Sequence, residues 1–269
     1  MLKCVNTRDG WRGVKMADNE KDKRVVIEDV YEMEQEENIF CAKRVLVDSV
    51  YKQANLEGIA VTYAQTQDIL NNVNIETLTP KDISKVCCLR DGWHYLLDNI
   101  NKDLDLGFLQ NIHELIARFD VDYRYLGQFR TEDVLISGTN WRPEIKSAEQ
   151  LHEELMNELD NPNETDKAIK TGLWIMRSQP FKDGNKRVGT FAANKLLIES
   201  GRGLFNVPVE YDGTFKQLLV NYYESNNSDE ICEWIRDNCL LGVNKLSNDE
   251  QDGKTGKSGK TSRKLLRRC

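Results

Sequence analysis

The sequence predicts an all-α fold interrupted by one short hairpin, and three observations carry that expectation. Apolar residues recur at helical spacing through most of the chain. Residues that favour helix ends, such as Thr79-Pro80, Asp105, Ser147 with Gln150, and Gly201, stand where those patterns begin or stop. Between residues 127 and 143 the helical period is lost, and Val134-Leu135-Ile136 runs into Ser137-Gly138 and then Thr139-Asn140-Trp141. That stretch reads either as a β-hairpin with a glycine turn or as an irregular surface loop.

Taken in order, Ile39, Ala42, Leu46 and Val50 predict a helix over 39–58 that leads into Asn55-Leu56-Glu57-Gly58. Thr79 caps a helix with Pro80 in its first turn and Ile83, Val86, Trp93, Leu97 and Ile100 on one face. Asp105 caps the next, which carries Phe108, Ile112, Leu115 and Ile116. Ser147 and Gln150 form a capping box before Leu151, Leu155 and Leu159. Thr165 starts a helix with Ile169, Leu173 and Met176 inward, and another opens near Arg187 and runs to Gly201. Phe215, Leu218, Leu219 and Tyr222 mark one further helix, and Ile231, Trp234 and Ile235 mark a last one after Ser228.

The chain of 269 residues is long enough to bury a sizeable core in one or two domains. Its 39% hydrophobic and 30% charged residues are an ordinary soluble balance, and no apolar run is long enough to span a bilayer. The first residues show no secretory pattern, and a net charge of −7 argues against nucleic acid as a general partner. Seven cysteines without metal-type C-x-x-C pairs fit a reducing cytoplasm. Three segments follow: a polar extension over 1–24, a helical domain over 25–243, and a basic, glycine-bearing tail over 244–269 that is expected to be disordered.

The chemistry-bearing segment is Gln179-Pro180-Phe181-Lys182-Asp183-Gly184-Asn185-Lys186-Arg187. It joins two helical patterns, so a glycine loop opens onto a helix N-terminus, where free N–H groups and the helix dipole favour an anion. Gly184 lets backbone approach a phosphate, Asn185 can donate an amide hydrogen bond, Lys186 adds charge, and Arg187 can fork onto two oxygens. Asp183 is a hard oxygen ligand suited to Mg²⁺ bridging phosphates. Phe181 is expected to plug the loop into the core. The same residues also suit an ordinary interhelical turn.

These residues resemble the signature of the Fic (filamentation-induced-by-cAMP) family and its relative Doc (death-on-curing), His-Pro-Phe-x-Asp/Glu-Gly-Asn-Gly/Lys-Arg between two core helices. Pro180 to Arg187 agrees with that pattern. Ala54-Asn55-Leu56-Glu57-Gly58 resembles the family's inhibitory helix, and Gly127-Gln128-Phe129-Arg130 through Arg142-Pro143 resembles its target-binding flap, with Ile136, Ser137, Gly138 and Thr139 at the tip. The resemblance implies a Fic-fold helical bundle that transfers AMP from ATP to a hydroxyl of a protein target held on the flap. It implies Mg²⁺ on Asp183 and phosphates on Gly184, Asn185, Lys186 and Arg187.

The sequence departs from the family pattern at three positions. Gln179 stands where the family has its general base, and an amide does not titrate near neutrality, so activity is expected to be weak or lost. His94, His113 and His152 lie far from the loop in sequence and are expected to be structural. Lys186 gives the loop a Doc-like cast, which keeps a phosphotransferase open as an alternative. So does a non-catalytic partner-binding module of a toxin–antitoxin or signalling kind. Thr190 replaces the second arginine that usually pairs with the inhibitory glutamate. Glu57 is left either to reach Arg187 or Lys186 or to remain solvated, and its removal is expected to matter less than about tenfold.

Overall fold

The computed structural model describes residues 25–243, and the expectations for 1–24 and 244–269 lie outside the described residues. The described chain is helical. Its helices are α1 (Gln35–Arg44), α2 (Leu46–Leu56), α3 (Tyr63–Leu70), α4 (Pro80–Asp98), α5 (Leu106–Ile116), α6 (Ala148–Leu159), α7 (Glu164–Ser178), α8 (Asn185–Glu199), α9 (Asp212–Ser225) and α10 (Asp229–Asn238). Two antiparallel strands, β1 (Leu204–Phe205) and β2 (Leu240–Leu241), pair the stretch after α8 with the stretch after α10.

The expected caps act as caps. The side chains of Thr79, Asp105 and Ser147 accept from the backbone N–H of Asp82, Phe108 and Gln150 respectively. Four expectations need correction. The helix over 39–58 is two helices meeting at Val45, whose ψ of 14° leaves helical values. Hydrogen bonds to Cys41 O and from Ser49 N persist across Val45, so the break is a kink. It falls where Val45 and Val47 crowd the preceding turn with branched side chains. The helix expected from Thr165 begins one residue earlier and is capped by Asn163, while Thr165 is buried and bonded to Asp29. The helix expected from near Arg187 opens at Asn185. α3, with its Thr62/Gln65 capping box, was not foreseen, because eight residues are too few to show a clear period.

The fourth correction concerns the hairpin. Among the described residues, strands are confined to β1 and β2, and 127–143 is an irregular extended loop. Gly138 does make the turn, with φ at +84°. Side chains then replace the ladder. Arg130 donates to the carbonyls of Glu132, Pro143 and Glu144, pinning both ends of the loop together. Thr139 Oγ1 accepts from Trp141 N and donates to Glu224 on α9.

α8 is the central helix, buried from Asn185 to Ile198 except for Lys186. Trp93 of α4 packs edge-on against Phe191, and its indole donates to Gln53 of α2. α7 crosses α8 where Gly172 faces Gly189. A Cβ on Gly189 would stand 2.5 Å from Gly172 O and 2.9 Å from Met176. This close approach sets where α7 delivers the 179–187 loop to α8. Gly189→Ala is expected to cost about 1–3 kcal/mol through overpacking and to lower Tm by about 3–10 °C. Gly213→Ala, with nothing within 4 Å of the added Cβ, should leave Tm unchanged or slightly higher in the same thermal unfolding experiment.

Candidate functional site

The loop between α7 and α8 is built from three local constraints. α7 ends on Gln179 in the left-handed region, with φ 50° and ψ 58°, and Pro180 then prevents the helix from continuing. Phe181, fully buried, stacks face to face on His113 of α5, with ring centroids 4.1 Å apart. Asn185 stitches the loop shut: its Oδ1 accepts from Phe181 N, and its Nδ2 donates to Phe181 O and to Gln179 Oε1. Gly184, at φ +79°, turns the chain into α8 and leaves the helix start without a side-chain cap. The first-turn N–H groups of α8 therefore face outward from the loop as donors.

Two neighbours hold the loop from outside. Arg130 donates through Nε to Gln179 O at 2.6 Å, and its backbone N–H donates to Pro180 O at 2.9 Å. His113 accepts from Gly127 N at Nδ1, so Nε2 carries the proton and donates to Asp183 O at 3.1 Å. Burial pushes the His113 pKa down to about 4, helped by the nearby Arg187 charge and opposed by the Asp183 carbonyl. His113 thus reaches the loop, and both of its nitrogens are engaged in holding it.

Arg187 is the charged centre of the site, with only 6% of its surface exposed. Its Nη1 donates to Ile116 O at 2.7 Å and also binds the Asp120 carboxylate. Glu57, at the end of α2, lies 3.2 Å from Arg187 Nε and 3.3 Å from Lys186 Nζ. Glu57 therefore reaches both cations. Yet Arg187 Nε and Glu57 Oε1 make no aligned hydrogen bond, so the contact is ionic and geometrically loose. Burial opposes the Arg187 charge, but Glu57 and Asp120 outweigh it and hold the guanidinium pKa above its ordinary value. A cavity of about 200 Å³ borders this cluster, lined by Glu57, Ile59, Lys85, Leu89, Asp120, Asp183 and Arg187.

Asp183, Lys186, Arg187 and Glu57 are thus brought together, with Gly184 at the helix start beside them. The Asp183 carboxylate accepts from Gly184 N at 2.6 Å. The Asn185 amide faces inward, bonded within the loop. Gln179 is bonded at both ends, since Nε2 also donates to Met176 O at 2.5 Å. Ile136, Ser137, Gly138 and Thr139 form the tip of the 127–143 loop, which reaches α9 through Thr139 and Glu224.

Residues 103–197 match the Fic/DOC family, from the residues before α5 through most of α8. The segment is similar to that family. Solved structures of Fic proteins share its fold. A Fic-1 fragment from C. elegans superposes with a TM-score of 0.62 at 16% identity, over 74% of this chain and 62% of that one. A Fic-domain-containing signalling protein from Bacteroides thetaiotaomicron gives 0.63 at 17% identity, over 76% and 86%. A Fic family protein from Desulfovibrio desulfuricans gives 0.57 at 18% identity, over 76% and 62%. The chain thus spans less than two thirds of the C. elegans and Desulfovibrio chains. No curated protein sequence matches it.

Glu57 and Lys85 lie outside the matched Fic/DOC segment and join it only in space. Glu57 was singled out from sequence, whereas the site roles of Lys85, Asp120, Arg130 and Tyr223 were missed. A buried, five-fold bonded arginine leaves no periodic trace, and Asp120 sits in a turn among other polar residues. Tyr223 hydrogen-bonds Gln179, and burial pushes its phenol pKa well above the ordinary range, so it stays protonated. Beyond the loop, Arg177 lies 3.9 Å over the Trp141 ring at a cavity of about 490 Å³ between the 141–146 stretch, α7 and the α9–α10 turn. No helix of the described residues is long and apolar enough to cross a membrane.

The depressed His113 pKa makes stability depend on pH. Its folded value of about 4 lies below the ordinary 6.5, so the unfolded chain binds the proton first. The contribution is present above about pH 6.5 and is lost as pH falls towards 4, amounting to about 2 kcal/mol between about pH 7.5 and about pH 5. Urea unfolding at both pH values should show that extra loss in the wild type and not in His113→Gln. Equal losses in the two proteins would refute the assignment.

Proposed function

We propose that this Fic/DOC-like domain binds a magnesium–nucleoside triphosphate at the N-terminus of α8. Glu57 occupies the site until the nucleotide displaces it, and AMP transfer to a protein hydroxyl is weak or absent. The observation that carries this reading is the state of Arg187. It is a buried guanidinium at an uncapped helix start, held by a carboxylate within ion-pair reach of two cations but without an aligned hydrogen bond to Nε. A phosphate group would supply the same charge with more acceptor oxygens. Asp183 fits a magnesium ligand. No trio of metal-binding side chains exists among the described residues, and Mg²⁺ is typically held by one or two carboxylates together with substrate phosphates and water.

In the transfer that the resemblance implies, a target hydroxyl oxygen bonds to the α-phosphorus, pyrophosphate leaves with the bonding pair, and the hydroxyl proton must be taken up. By that resemblance Gln179 stands at the position of the proton acceptor. An amide cannot fill the role, and a missing general base typically lowers the rate by about 10²–10⁴. The Tyr223 phenol, held protonated by burial, does not supply it. The internal bonding of Gln179 at both ends favours a second reading, a partner-holding domain without turnover. In either case the tip at Ile136–Thr139 is the surface for a protein partner, and Leu135 beside it is 78% exposed.

Two measurements test this reading. The ion pairs of Glu57 with Arg187 and Lys186 replace the modest effect expected from sequence with a larger one. Glu57→Gly should tighten Mg-ATP binding in calorimetry by more than about tenfold, and Glu57→Gly/Arg187→Ala should lose that gain. Equal affinities for wild type and Glu57→Gly would remove Glu57 from the site. Gln179→His should raise self-labelling from α-labelled ATP by about 10²–10⁴. Histidine tolerates the positive φ at this position better than most side chains, and its imidazole accepts a proton near neutrality. Silence of the variant despite normal nucleotide binding would favour the partner-holding reading.

A further inference from the structure

The 200 Å³ cavity has a wall that the signature loop does not supply. Lys85 and Leu89 come from α4, Asp120 from the turn after α5, and Ile59 from the residues after α2. Lys85 Nζ lies 2.5 Å from Asp120 Oδ1, and the other oxygen of the same carboxylate binds Arg187 Nη1. One carboxylate therefore bridges two cations from different helices across a cavity with room for about six waters. The Asp120 side chain is 10% exposed, and that of Lys85 is 23% exposed. Burial works against the Asp120 charge, but Arg187 and Lys85 outweigh it and keep the carboxyl below the usual range. Arg187, whose Nε is buried and without a hydrogen bond, lines the same space.

We propose that Lys85 is a ligand for the terminal phosphate of a nucleoside triphosphate, and that Asp120 is the resident counter-ion which that phosphate displaces or shares. The inference rests on the nucleotide reading above and adds the residues that would tell a triphosphate from a diphosphate. Lys186 and Arg187 sit at the helix start, where the first phosphates would lie. Lys85 stands on the far side of the Asp120 carboxylate from Arg187, and the proposal therefore assigns it to the terminal phosphate. Ile59 and Leu89 lower the local dielectric and strengthen whichever anion fills the gap. Glu57 and Asp120 together offset most of the charge of Lys85, Lys186 and Arg187. The cluster thus stays folded without ligand and exchanges protein carboxylates for phosphate oxygens when one arrives.

The test is equilibrium binding of Mg-ATP and Mg-ADP to wild type, Lys85→Met, Lys85→Arg and Asp120→Asn, repeated in the Glu57→Gly background. Lys85→Met should weaken ATP by about tenfold or more and ADP by less than about twofold, whereas Lys85→Arg stays within about threefold of wild type for both. Asp120→Asn should tighten ATP more than ADP. Thermal unfolding of each variant confirms that the comparison is between folded proteins, and Lys85→Arg keeps the charge should Lys85→Met prove unstable. Equal losses of ATP and ADP on Lys85→Met, or no loss of either, overturn the Lys85 assignment and leave the nucleotide reading standing. If neither wild type nor Glu57→Gly binds either nucleotide, both fail.

Discussion

The buried charge of Arg187 organises the described molecule around its site. A guanidinium with 6% exposure is tolerable only when paired and hydrogen-bonded. Its partners come from three separate places: Glu57 at the end of α2, Ile116 O at the end of α5, and Asp120 in the turn that follows. Asp120 in turn holds Lys85 of α4. One cation on the central helix thereby fixes the relative positions of α2, α4, α5 and α8. Removing any carboxylate from that set leaves the cation under-compensated, which is the condition under which an external anion binds best.

The loop that presents Arg187 depends on a second, steric constraint. Gly172 and Gly189 allow α7 and α8 to approach more closely than any side chain would permit, so the six residues from 179 to 184 span a short gap. Around it the amide of Asn185 and the ring of Phe181 act inward, and the backbone donors of α8 act outward. Rigidity and binding are divided between different atoms of the same segment. His113 and Arg130 then tie this segment to the 127–143 loop, so the loop and the start of α8 form one connected body.

The site's electrostatics decide which chemistry remains open. Three cations, Lys85, Lys186 and Arg187, face carboxylates, the groups that a phosphate chain would replace under the proposed function. Proton removal is a different matter. Gln179 is neutral, Tyr223 is held protonated by burial, and His113 has both nitrogens engaged in holding the loop. Under the proposed function, affinity for a nucleotide and its turnover would therefore rest on separate residues.

By itself the sequence determined the helical class, the caps at Thr79, Asp105 and Ser147, the break at 127–143, and the loop from Gln179 to Arg187. Each of these is written in neighbouring residues, through a period of 3.6, a capping oxygen, or a glycine at a helix start. The same local signals overreached where tertiary contacts compete. Val45 kinks what periodicity reads as one helix, and Arg130 takes over the hydrogen bonding that a hairpin ladder would have provided. Only the tertiary structure decided that Glu57 meets both Arg187 and Lys186, that Asp120 bridges Arg187 to Lys85, and that His113 supports the loop. Those pairings join residues tens to more than a hundred positions apart, and charge neutralisation inside a folded core leaves no signature in the order of the residues that perform it.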